Sequence, residues 1–281
     1  MGVHEGWTSR RAAGAAFLDR RIIVMVSCLM AGATALQGAD GRLNFVSCPI
    51  VRDTATVPCW LAEYEGELYF LTIQSDVSAP VTPPWLGHRV LVEGEVSKEP
   101  RICGGVVLKP VRLSVLPERD SSCNTMLPAE EQYNLTFEPP RPPGPSTGRL
   151  AFAAAPSDTP RAPAAAAPAG PVREFVIQYD FDGMIGFSHA GALGQVLTYA
   201  RQVNARSIEI SGERGGVRLS NGQMMAEAES IGQRRAEQVA KALKGAGLTA
   251  STYQVTSVDR AASVTGVDDH LTRRVVVTVR R

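Results

Sequence analysis

The chain has 281 residues and a formal net charge of +1, with 44% hydrophobic and 6% aromatic residues. A chain this close to neutral lacks the concentrated basic face that a phosphate backbone demands, which excludes nucleic acid as a main partner. The length suits two small modules and a spacer better than one domain, and the uneven placing of alanine, glycine and proline points the same way.

Arg20-Arg21 precede an apolar run over residues 22–35 that ends in Ala33-Thr34-Ala35. A basic pair, a short apolar core and small residues at its end are the pattern of a secretory signal. The run falls short of the roughly 20 apolar residues that span a bilayer, so residues 1–39 read as a leader, with an uncleaved anchor as the competing reading. Residues 1–19 are long for the region before the basic pair and include Glu5 and Asp19, which places the true start nearer the arginines. Met25-Val26-Ser27 before Cys28 is a poor match to a lipidation box.

Removal of the leader takes Cys28 with it and leaves Cys48, Cys59, Cys103 and Cys123, an even set within one segment. Export to an oxidising compartment predicts two disulfides among them, with three pairings open. Zinc is the competing use, but no two of these cysteines stand as a close C-x-x-C pair.

Residues 41–127 read as all-β. Strand-like runs over 59–64 and 67–73 meet across Glu65-Gly66 as a hairpin. Pro80, Pro83 and Pro84 exclude a ladder interior, and strand signals resume over 88–96 and 106–116. Short strands with Gly94 inside one of them suit a small, curved barrel that resembles the OB type. Trp60, Tyr64 and Tyr69 could form a stacking platform for sugars or bases, or fill a core too small to do without them; the second use is the expected one. His88 has no second histidine or carboxylate pair near it in sequence.

Residues 138–173 carry a proline-rich opening, then further prolines among alanine runs. Such a composition buries no core and should form an extended spacer, at about 3.1 Å per residue where polyproline-like.

Residues 174–281 read as a βαβαββ module, an α/β sandwich with two helices on one face of a four-stranded sheet. Residues 175–179 form the first predicted strand, and Ser188 caps a helix carrying Leu193, Leu197 and Ala200 that stops near Asn204. Residues 207–211 alternate as a second strand. A long helix is predicted over 220–244, with Ser220 and Gln223 as a capping box and Gly245 and Gly247 at its end. Its apolar stripe runs through Met224, Met225, Ala228, Ile231, Ala236, Val239 and Leu243, and Arg235 falls inside it. A guanidinium leaving the core side of a helix needs an anion or a route to water. Residues 253–255 and 275–279 alternate as the last two strands.

This order of elements, with Tyr179-Asp180-Phe181-Asp182, Ile208-Glu209-Ile210-Ser211-Gly212, Arg234-Arg235-Ala236 and Thr272-Arg273-Arg274-Val275, resembles the OmpA-like C-terminal domain over about one hundred residues. The resemblance implies non-covalent binding of the peptidoglycan stem peptide, with Arg235 gripping a diaminopimelate carboxylate through two parallel hydrogen bonds. It also implies a Gram-negative periplasm, with outer-membrane association. The departures are specific. The family's G-x-T-D appears as Gly212-Glu213-Arg214-Gly215, so the acid that receives the ligand's ammonium is missing, and Glu213 is the candidate substitute. Ala228 stands for an asparagine, Ile231-Gly232 for an L-S pair, and Thr272 for the asparagine of N-R-R-V. Loss of one charge-assisted hydrogen bond costs roughly 1.5 to 3 kcal/mol.

The expectation is a non-catalytic envelope protein that binds peptidoglycan through Arg235, Arg273 and Glu213, without cofactor or metal. The alternative is an OmpA-like scaffold that has lost its ligand and contacts envelope proteins. An enzyme finds no support, because no nucleophile, histidine or carboxylate set has catalytic spacing, and His189 and His270 are scattered.

Overall fold

The structure is a computed structural model, described here for residues 41–74, 81–135, 172–250, 252–259 and 263–281. The predicted leader, and the spacer as far as residue 171, lie outside the described residues.

In the first module β1 (Arg42–Ser47), β2 (Pro49–Arg52), β3 (Cys59–Tyr64), β4 (Glu67–Ile73), β5 (His88–Val96), β6 (Val106–Arg119) and β7 (Met126–Leu127) form one sheet, in the order β1-β5-β6-β4-β3-β2-β7. The predicted hairpin is β3–β4, turned by Glu65 and Gly66, both at positive φ. Such φ values match the twist of the flanking strands. Disulfides join Cys48 to Cys123 and Cys59 to Cys103. A buried core of Phe45, Val51, Trp60, Leu71, Val90 and Val92 places the tryptophan inside, with Tyr64 and Tyr69 packed against it.

The expected OB-type barrel is corrected: the sheet does not close, since β1 and β7 are its two edges. The outer edge of β1 has another use. Asn44 receives a hydrogen bond from the Ser220 amide and donates its own amide to Ser220 Oγ, and its side chain reaches the carbonyls of Arg218 and Gly266. An edge strand must be covered by something, and here residues of the second module cover it.

That module comprises β8 (Val172–Gln178), α1 (Ala190–Gln202), β9 (Ser207–Glu213), β10 (Gly216–Arg218), β11 (Met224–Ala226), α2 (Ile231–Gly245), β12 (Thr252–Val258) and β13 (Arg274–Arg280). The four-stranded sheet has the order β12-β9-β13-β8. β9 and β12 are parallel neighbours joined through α2, and β13 runs antiparallel between β8 and β9. Both helices pack on one side through Val196, Tyr199, Ala200, Ala236, Val239 and Leu243 against Phe175, Ile177, Ile208, Ile210, Val275 and Val277. The expected α/β order holds, with one addition.

The addition corrects the helix predicted from residue 220. Residues 216–226 form an antiparallel hairpin, and α2 begins only at Ile231. Asn221-Gly222 is a hairpin-turn signal: Gly222 has φ +86°, its amide donates to the Leu219 carbonyl, and the Leu219 amide donates to Gln223. Met224 is accordingly 74% exposed rather than part of a buried stripe.

The two modules share a small apolar cluster of Leu91 and Leu116 from the first with Phe181, Val217 and Leu219 from the second. Phe181 also donates its amide to Ser114 Oγ. No helix among the described residues is long and apolar enough to cross a membrane.

Candidate functional site

Arg235 leaves α2 on its core side and is fully buried, at 0% exposure. Its Nη1 and Nη2 donate to the two carboxylate oxygens of Glu227 at 3.0 and 2.6 Å. Nε donates to the Gly183 carbonyl at 2.8 Å and Nη2 also to Asp180 at 3.0 Å. The Tyr179 ring lies 4.6 Å beneath the guanidinium. No nitrogen of Arg235 lacks an acceptor.

Glu227, just past β11, is equally buried and equally occupied. Besides Arg235 it accepts the amides of Asp182 and Gly215, each at 2.8 Å. A forked cation, a planar carboxylate and two aligned amides satisfy one another in a dry setting, which is the condition under which buried charges are tolerated. The bond set that the OmpA resemblance assigns to a ligand carboxylate is made here by a carboxylate of the chain itself.

Burial pushes the Tyr179 phenol up to about 12, against the pull of the Arg235 cation. Burial raises the Asp182 carboxyl above its ordinary range, opposed by the hydrogen bond from the Ala228 amide.

Arg273, just before β13, is also at 0% exposure. Its Nη2 reaches both oxygens of Glu93, on β5 of the first module, at 2.5 and 2.6 Å, while Nε and Nη1 have no partner. Gly215 explains its path. A Cβ built there would stand 2.4 Å from Arg273 Cγ and 2.6 Å from Thr272 Oγ1. The place where the resemblance puts an aspartate is therefore filled by the arginine's own stem.

Of the three residues expected at a ligand, Arg235 connects to Gly215 through Glu227, Arg273 passes Gly215 with its own stem, and Glu213 joins neither. Glu213 pairs instead with Arg274 Nε at 2.9 Å. The acids that hold the two arginines, Glu227 and Glu93, were missed by sequence reasoning. Glu227 sits beside Glu229 in an Ala-Glu-Ala-Glu run with nothing to distinguish them, and Glu93 is 180 positions from Arg273. Among the described residues, the one group with metal-ligating reach is Cys48, Asp120 and Cys123, whose two sulfurs are joined to each other.

No protein-family profile matches the chain, and no curated protein does. Among solved structures, the OmpA-like domain of FopA1 from Francisella tularensis subsp. tularensis SCHU S4 is 16% identical. The match covers 38% of this chain and 71% of that one, with a TM-score of 0.30. The peptidoglycan-associated lipoprotein from Burkholderia pseudomallei is 20% identical, over 38% of this chain and 90% of that one, also with a TM-score of 0.30.

Proposed function

We propose that this chain is an exported, non-catalytic cell-envelope protein in which an OmpA-like module acts as a scaffold. The face that the family resemblance assigns to a wall peptide is turned inward, to lock the module and to hold the β module against it. One observation carries the reading: Arg235 is closed from solvent, with both anionic contacts supplied by Glu227. A ligand carboxylate would have to displace an internal one that holds two further amides. The two disulfides accord with an oxidising compartment.

The second reading, binding of a diaminopimelate-type stem peptide, is favoured by Arg235 standing at the motif position on α2. It requires Glu227 to leave and Arg273 to release Glu93. Co-sedimentation with purified cell-wall sacculi separates the two. The scaffold reading predicts that wild-type protein stays in the supernatant. Sedimentation that a soluble diaminopimelate-containing peptide competes away would overturn it.

A further inference from the structure

The four-stranded sheet ends on one side at β12, and that edge is open. β12 lies parallel to β9 in unbroken register, from Thr252 beside Ser207 to Val258 beside Glu213. Thr252 donates its amide to the Arg206 carbonyl, and the Val258 carbonyl accepts the Arg214 amide. Residues 252, 254, 256 and 258 therefore turn their backbone groups toward β9. The alternation of the ladder then points the amides and carbonyls of Tyr253, Val255 and Ser257 outward, and among the described residues nothing pairs with them.

An open edge of this length invites another strand, and proteins usually guard one with charge, proline, a bulge or a cover. The other sheet edges in the described residues are guarded. β1 is covered by Arg218, Ser220 and Gly266. β7 has only two residues. β8 carries Arg173 and Glu174, and its Gln178 carbonyl is already bonded to His189 Nε2 at 3.0 Å. β12 reads Thr-Tyr-Gln-Val-Thr-Ser-Val, without charge or proline, and five of its seven residues are exposed.

The same features select the partner. Laid antiparallel on its own copy about a two-fold axis at Val255, β12 sets Val255 opposite Val255 and Tyr253 opposite Ser257. Residues facing each other in a hydrogen-bonded antiparallel pair exchange both bonds, so every outward amide of one copy meets an outward carbonyl of the other. On the exposed face Gln254 stands beside Thr256 and Thr252 beside Val258, and these neutral, largely β-branched pairs are compatible across strands. A charge close to the axis, at 254 or 256, would come near its own copy on the diagonal; here neither position is charged. An edge without charge also offers nothing to select a charged peptide.

We propose that β12 is a homodimerisation edge, at which a second copy of this chain continues the sheet antiparallel through residues 253–257. An interface of one strand pair lies at the small, weak end of the protein–protein range, so the dimer forms in proportion to concentration. The assignment is independent of whether the second module touches the cell wall.

The test is sedimentation of the full chain over a concentration series, which should show a monomer–dimer equilibrium. Hydrogen exchange at the Tyr253, Val255 and Ser257 amides should slow as the dimer fills. Ser257→Pro removes one outward amide from each copy at an exposed position, where an edge strand tolerates proline. It should weaken association about tenfold to a hundredfold, the usual combined weight of two hydrogen bonds. Gln254→Lys brings two ammonium groups together beside the axis and should also weaken the dimer. An equimolar mixture of Gln254→Lys with Thr256→Glu sets unlike charges opposite each other and should restore it. A monomer at every concentration would overturn the assignment, as would a dimer that leaves the three amides unprotected or is indifferent to these substitutions. Should Ser257→Pro fail to fold, the mixture carries the test, since Gln254 and Thr256 are both exposed.

Discussion

Among the described residues Arg235 and Arg273 are the two fully buried arginines, and they are satisfied in opposite ways. Arg235 finds every acceptor within its own module: both oxygens of Glu227 and the carbonyls of Asp180 and Gly183. Arg273 finds one carboxylate, Glu93, across the seam, and leaves Nε and Nη1 unpaired. A cation supplied wholly from within a module belongs to that module's fold. One whose sole anion comes from the other module ties the two modules together, because separating them would leave a buried guanidinium with no acid at all. The surroundings agree, since Arg235 sits beside the large apolar core, while Arg273 stands near a cluster of five buried residues shared between modules.

The comparison can be broken most severely at Glu227. Glu227→Ala leaves a buried guanidinium without its anion, at a cost of about 3–5 kcal/mol, and should appear as a large loss in urea-induced unfolding. Hydrogen exchange should rise at the Gly215 and Asp182 amides, which Glu227 accepts. Glu93→Gln should cost less, about 2 kcal/mol for a weakened charge-assisted bond. Its signature should be faster exchange at the Phe181 amide, bonded to Ser114 across the seam, with Gly215 protected as before. Equal losses from the two substitutions would erase the distinction drawn here.

Smaller effects sharpen it. Arg42 bridges Glu95 and Asp268 at the solvent-exposed margin of the same seam. Arg42→Ala should cost under about 1 kcal/mol, with the difference shrinking as salt is added. Asp182 titrates in the opposite sense to most carboxylates. Its folded value lies above the ordinary 3.8 because burial disfavours the charge, so the folded state holds the proton more tightly. Its ionised form therefore lowers stability above the folded value, and that penalty disappears below about pH 4. Asp182→Asn, which keeps an acceptor for the Ala228 amide, should be slightly more stable than wild type at pH 7 and indistinguishable from it in acid.

Much of the architecture was legible from local pattern. β3 to β6, β8, β9, β12, β13, α1 and the later part of α2 follow from alternation and helical spacing, and that spacing alone puts Arg235 on the buried side of its helix, whereas β1, β2 and β7 give no such pattern and are not predicted as strands. The first part of the predicted helix failed because Met224 and Met225 completed a helical stripe on paper, while Asn221-Gly222 marked a hairpin turn that the stripe outweighed. The barrel failed for a different reason: whether β1 pairs with β7 or with another module depends on residues far away, and Asn44 meets Ser220 across 176 positions. The site was half legible. Residue type and helix position identify a buried guanidinium, but the acid that meets it is set by how the 216–226 hairpin folds back. Gly215 shows the same limit. The sequence marks a missing aspartate there, and only the packing shows that Arg273 has filled its place.

The most direct measurement is side-chain NMR of the Arg235 guanidinium in the full chain, with and without a soluble diaminopimelate-containing muropeptide. The account predicts slowly exchanging Nε and Nη protons that report a closed pair with Glu227 and do not move when the peptide is added. Rapid exchange in the free protein, or a saturable shift of those resonances with peptide, would contradict it.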